Sequence, residues 1–296
     1  MILDRNIITD VIEFFKDEPR DEEFRRIALA VILFLRFSEF LPGMLPALQE
    51  HESQHPREEA YTDALSFFNA LSVPIERYLD LLNNRIARFG ADDVPSGLVF
   101  PPVTEIAEFN FPTLWMACYL VVLKIASLER DLTLSGRTRF ENLQNWLYNN
   151  AFFAPPFLFV ASHFFGARRD GSILSGIRSL NVSSLKKSVR NGAWDLYALS
   201  DWHIRTKRRE FSVLASRDKA LVGIARKMRE FVMAETMHER IFLSEDWPKP
   251  KDVDALIKLM HGHMKTLDDP SRVVNRGLTR EYYLEETKLL ERKLGF

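Results

Sequence analysis

Apolar residues recur near helical period along almost the whole chain, and this periodicity limits the fold more than any other feature of the sequence. It runs through Asn6–Lys16, Glu22–Phe37, Glu58–Ile86, Thr113–Arg130, Arg139–Asn150, Ser184–Arg205, Lys219–Glu235, Val253–Lys265 and Glu281–Leu294. Pro74 lacks a backbone N–H and predicts a kink or break in the third of these segments. Strand-like runs are few and short: Met1–Leu3, Phe211–Ala215 and Arg240–Leu243, with Phe37–Leu41 as a further candidate. Few strands among many helices predict an α/β, helix-rich fold in which helices cover both faces of a small central parallel sheet. Loops near Gly90–Val103 and Ala167–Ile173 do not separate two domains. The expectation is a single domain, 1–296, with a large helical insertion over roughly 56–180 between two α/β parts.

Composition narrows the class. The chain has 296 residues, 46% hydrophobic and 27% charged, which suits a globular protein. Net charge is −1, so bulk charge selects no partner. Cys118 is the only cysteine, which excludes an internal disulfide and a cysteine-built zinc site and suits a reducing cytoplasm. Charges at Asp4, Arg5 and Asp10 interrupt the start too early for a signal peptide. The longest apolar stretch, about Leu114–Leu123, is closed by Lys124 and is far short of the ~20 residues a spanning helix needs. It reads as a buried core helix, and a cytoplasmic protein without a membrane role is expected.

Three carboxylates stand out by position. The opening Met-Ile-Leu-Asp is a short apolar strand ending in Asp4 and followed at once by a helix. In α/β sheets, ligands bind beyond the carboxyl ends of strands. The run Phe211–Ser216 is likewise followed by Arg217, Asp218, Lys219 and an amphipathic helix. Asp195 sits on a helix among Trp194, Leu196, Ala198 and Leu199, four residues after Asn191 and on the same face. Burial of a carboxylate in such company is costly unless it is paired or holds a metal. The competing reading is local: Asp4 or Asn6, and Asp218, as plain helix caps. Asp201, six residues beyond Asp195, points elsewhere on the helix.

A local basic region accompanies these positions. Residues 186–230 carry twelve basic and five acidic side chains, a net +7. Arg217 and Lys219 flank Asp218 at a helix start and are candidates for substrate phosphates. Lys207-Arg208-Arg209 lies at the other end of the late strand, where it reads as a distant phosphate contact or a solvated turn. His261 and His263 are two residues apart on a helix and diverge by about 200°, which argues against a metal pair. There is no Gly-rich phosphate loop and no Gly-x-Ser-x-Gly elbow.

The pattern resembles the PIN-domain nuclease family. Ile2-Leu3-Asp4-Arg5-Asn6 is similar to that family's first strand with its aspartate and nearby asparagine. Asp195 with its Ala/Leu-rich helix is similar to the third acidic position. Ser216-Arg217-Asp218 is similar to the family's Thr/Ser-x-Asp turn, although the 23-residue separation of Asp195 and Asp218 is slightly long for small members. The matches cover about the first 52 residues and 184–245. A further acidic residue of the family, on the helix after the second strand, corresponds to Glu50, with Glu52 as its rival. The resemblance implies a metal-dependent endoribonuclease, less often acting on DNA. Asp4, Asp195 and Asp218 would hold one or two Mg²⁺ or Mn²⁺ ions, and Glu50 would complete the shell or orient the attacking water. Asn191 and Ser216 would position the carboxylates. It also implies a toxin or phage-defence context, with a protein antitoxin or regulator as a partner. Two other classes remain open: a helical protein-interaction module whose carboxylates are caps, and a PIN-like domain that binds nucleic acid without cutting it.

Overall fold

The computed structural model describes all residues except 17–20, 39–41, 53, 95–112, 167–173, 209, 211, 234–238 and 273–277. It is strongly helical, with one two-stranded parallel sheet among the described residues. β1 is Ile2–Leu3 and β2 is Leu214–Ala215, paired in the register Ile2 to Leu214 and Leu3 to Ala215. On its other side β1 forms an isolated parallel bridge from Ile2 to Gly43. The candidate strand Phe37–Leu41 lies partly outside the described residues, and Phe37 itself ends a helix. The expected strand Arg240–Leu243 is instead inside a helix, Glu239–Asp246. Four residues are too few to separate a buried strand from one turn of buried helix by periodicity.

Two compact units make up the chain: Met1–Asn110 with Ser212–Arg217, and Phe111–Phe211 with Asp218–Phe296. In the first, α1 (Arg5–Phe15) follows β1 directly, and α2 (Glu22–Phe37) begins at Asp21, whose side chain accepts from the Phe24 N–H at 2.8 Å. α3 (Leu45–Glu52), α4 (Arg57–Ser72) and α5 (Ile75–Leu82) follow, and Pro74 divides the last two as the proline rule requires. Ile8, Val11, Phe24, Ile32, Phe67 and Tyr78 fill the core with almost no exposure. Tyr78 stacks on Phe14 and donates its hydroxyl to the Ala70 carbonyl. Gly43 is required where it stands: a Cβ there would meet the Met1 carbonyl oxygen at 2.8 Å.

In the second unit α6 (Thr113–Glu129) is buried nearly all round, as its uninterrupted apolar run predicts. It packs against α9 (Val182–Lys207) and α13 (Arg280–Leu294). α7 (Gly136–Asn150) and α8 (Pro155–Phe165) lie between them in sequence. α8 escaped the periodicity reading because Phe157 to Phe165 is apolar on almost every face. α10 (Lys219–Met233), α11 (Glu239–Asp246) and α12 (Pro250–Met264) complete the unit. The buried Ser162 hydroxyl donates to Asp246 Oδ2 at 2.8 Å and accepts from the Trp247 indole at 2.9 Å, which links three buried residues through one hydroxyl. No helix among the described residues is long and apolar enough to cross a membrane.

Candidate active site around Asp4

Backbone pairing brings distant segments of the first unit to one point. Ile2 N–H donates to the Val213 carbonyl at 2.7 Å and Asp4 N–H to the Ala215 carbonyl at 3.0 Å. On the other side Leu3 N–H donates to the Gly43 carbonyl at 3.2 Å. Segments 1–4, 43–44 and 212–217 therefore run side by side at β1, and each is followed by a helix, α1, α3 and α10.

Asp4 occupies the N-cap position of α1, in extended conformation, but its side chain makes no capping hydrogen bond. Its Oδ2 instead accepts from Asn6 Nδ2 at 2.8 Å and from the Ser216 hydroxyl. Asn6 in turn accepts the Arg217 backbone N–H on its Oδ1 at 3.1 Å. A cap carboxylate normally turns back onto the N–H groups of its own helix. Here two side chains hold it away from them.

Glu50, on α3, shares this neighbourhood. Its pKa is pushed from the ordinary carboxylate range to about 8, first by burial and then by the negative charge of Asp4, with Arg5 opposing. Two like charges taken out of water raise a carboxyl pKa in this way. The rival Glu52 faces Arg57 across a 3.4 Å ion pair. The Arg5 guanidinium spans to α4, where it donates to Asp63 at 2.5 Å. His51, next to Glu50, is held below its ordinary pKa, first by burial and then by Arg5.

The other expected site residues divide between the units. Arg217 is exposed at its tip, but its guanidinium pairs with the buried Asp10 at 3.0 Å. Asp218 does what a cap does: its Oδ1 accepts from Ala220 N at 2.8 Å and Leu221 N at 3.1 Å. Lys219 is exposed at the first turn of α10. Asp195 is half-buried on α9 between the buried Trp194 and Leu196, and the Oδ1 of Asn191, one turn earlier, is buried without a hydrogen-bond partner among the described residues. Asp218, Lys219, Asn191 and Asp195 belong to the second unit, whereas Asp4, Glu50, Ser216 and Arg217 belong to the first. Arg209, in the basic Lys207–Arg209 run, lies outside the described residues, and Asp201 pairs with Arg205 at 3.0 Å. His263 is engaged elsewhere, hydrogen-bonded to Asn145 at 3.0 Å and stacked on Tyr148.

The sequence expectations do not include His51, His55, Glu59 and Asp63, which gather around His51, with Arg5 paired to Asp63. Their signal was available: they recur at every fourth residue, and helical geometry puts such positions on one face. No family model, no curated protein and no solved structure matches the chain.

Proposed function

We propose that this protein is a PIN-like nuclease that hydrolyses phosphodiester bonds with Mg²⁺ or Mn²⁺, most naturally an endoribonuclease, centred on Asp4 and Glu50. The observation that carries the reading is the Asp4 carboxylate, withdrawn from capping and held beside Glu50 at the end of a parallel strand. A helix start offers a carboxylate several N–H groups, so holding it elsewhere has a cost that a ligand would offset. The donors suit the ion: hard carboxylate oxygens are what Mg²⁺ and Mn²⁺ select, and a divalent cation would offset both the burial and the Asp4 repulsion that raise the Glu50 pKa. When bound, such an ion polarises a phosphoryl oxygen and lowers the pKa of water.

The chain's own residues prepare that chemistry. Asn6 and Ser216 both donate to Asp4 Oδ2, which fixes the direction of the carboxylate. Glu50 has a pKa raised to about 8 without metal, and a bound cation would lower it toward ionisation, leaving a carboxylate able to orient an attacking water. Parallel pairing on both sides of β1, with Gly43 and with β2, supports the small central parallel sheet of that family. Asp195 and Asp218 enter the reading as metal ligands through the resemblance, with Asn191 behind Asp195 and with Arg217 and Lys219 on substrate phosphates. A cytoplasmic toxin or defence role, with a protein antitoxin or regulator, belongs to the same proposal.

The decisive experiment incubates the purified chain with labelled single-stranded RNA and DNA in Mn²⁺, in Mg²⁺ and in chelator. Cleavage of RNA that needs the metal is the expected result. Binding without cleavage under all three conditions would favour a nucleic-acid-binding domain, and neither binding nor cleavage would favour an interaction module.

A further inference from the structure

A second group of ligating side chains lies beside the carboxylates without belonging to them. His51, His55 and Glu59 each offer one ligand atom, and these atoms all lie within 4.8 Å of one another. The backbone explains why. α3 ends at Glu52, and the His55 N–H donates to the His51 carbonyl at 3.0 Å, which keeps the two histidines close. Pro56 then starts α4, whose first turn carries Glu59 back toward them. The two imidazoles stack at 4.4 Å with planes 18° apart. Glu59 Oε2 lies 3.4 Å from His55 Nδ1 and 3.9 Å from His51 Nε2.

These separations fit a metal better than they fit ion pairs. Two ligands bound at about 2.0–2.1 Å to a tetrahedral ion stand roughly 3.3 Å apart; the His55–Glu59 pair at 3.4 Å already matches this, and the other two pairs, at 3.9 Å and within 4.8 Å, would close on binding. Pairing both imidazoles with Glu59 at once would require charge on both stacked rings, and like charges in contact oppose each other. The Asp63 carboxylate, 3.6 Å from His51 Nε2 and fixed by Arg5, adds negative charge on the same side. His51 is 12% exposed, whereas His55 and Glu59 are about half exposed, so a rigid inner ligand faces two outer ones reachable from water.

We propose that His51, His55 and Glu59 form a zinc-binding site with water in the fourth position, tying the end of α3 to the start of α4. Two imidazole nitrogens select Zn²⁺ over Mg²⁺, because nitrogen donors suit the later transition metals and Mg²⁺ demands oxygen. This site is distinct from the Asp4–Glu50 pair in ligand chemistry, and it stands whether or not the chain cleaves RNA.

The test strips the full chain with chelator and titrates it with Zn²⁺ in excess Mg²⁺, following metal content by elemental analysis and melting temperature by circular dichroism. The wild type should retain one Zn²⁺ and melt at a higher temperature with it. His55→Gln and Glu59→Gln should each weaken Zn²⁺ binding by at least about tenfold and lose that rise. Their outer positions leave the fold, checked by the apo circular dichroism spectrum, unchanged. Asp4→Asn should keep the bound zinc. A wild type that retains no Zn²⁺, or zinc affinity unchanged in either His55→Gln or Glu59→Gln, overturns the assignment, and loss of zinc in Asp4→Asn would move the ion to the carboxylate pair and overturn it equally.

Discussion

The Ser216 hydroxyl donates a hydrogen bond to Oδ2 of Asp4, joining two residues 212 positions apart through the pairing of β1 with β2. Ser216→Ala should therefore remove one of the two donors that turn Asp4 away from the α1 N-terminus. Stability should fall by about 1 kcal/mol, the usual net worth of one such bond. Metal-dependent cleavage should fall by about 10–100-fold, the cost of losing a group that orients a ligand. Ser216→Thr keeps a hydroxyl and should recover most of the loss. Denaturant melts and single-turnover cleavage read the two effects separately, and equal activity in Ala and wild type would remove Ser216 from the site.

Asp4→Asn preserves volume and removes the charge a cation needs. Cleavage should drop by at least about 100-fold, because metal-based charge stabilisation amounts to several kcal/mol. The melting temperature without metal should hold or rise, since Glu50 loses a repelling neighbour. Asp195→Asn and Asp218→Asn should match the loss of activity if the resemblance transfers. For Asp218→Asn a loss of stability near 1 kcal/mol without loss of cleavage would identify a cap and nothing more.

Glu50 makes stability depend on pH. Its ordinary pKa of 4.5 rises to about 8 in the fold, so between these values the folded chain keeps a proton that the unfolded chain has released. That contribution is complete below about pH 4.5 and is lost as pH rises through about 8, at up to about 1.4 kcal/mol per pH unit. Urea denaturation of the metal-free protein at several pH values across this window should show the decline. Glu50→Gln cannot titrate and should flatten it. A slope unchanged by that substitution would mean that Glu50 is ionised in the fold. Mg²⁺ should oppose the decline in the wild type by favouring the ionised carboxylates.

Arg217 has two candidate duties, and its ion pair with the buried Asp10 assigns it one of them. Arg217→Ala should cost about 1 kcal/mol, less than a fully buried pair because the guanidinium is 39% exposed. If Arg217 and Lys219 also touch substrate phosphates, the double alanine variant should bind single-stranded RNA more weakly across sequences. Its salt slope should fall by about 0.7 for each lost contact. Unchanged affinity and slope, with the stability loss present, would leave Arg217 as a structural partner of Asp10.

The placement of the longer helices was legible in the sequence because apolar periodicity is a local signal; α1, α2, α6 and α9 all fall where apolar spacing puts them. Proline chemistry likewise marked the break at Pro74. Short apolar runs carried too little information, so 240–243 became part of α11 and the uniformly apolar α8 left no period to read. At the site, sequence marked Asp4 and Asp218 as acidic residues at strand ends, and Glu50 through the resemblance, but a carboxylate that caps its helix and one that does not look identical in sequence. Only the tertiary structure separates them: Asp218 turns onto its own helix, whereas Asp4 is drawn off its helix by Asn6 and by Ser216, a residue that strand pairing alone brings near. The same holds for His51, His55 and Glu59, whose four-residue spacing was plain, while their convergence depends on how the chain bends at Pro56. Hydrogen-bond direction and the meeting of separate helices are set by long-range packing, which no local window of sequence contains.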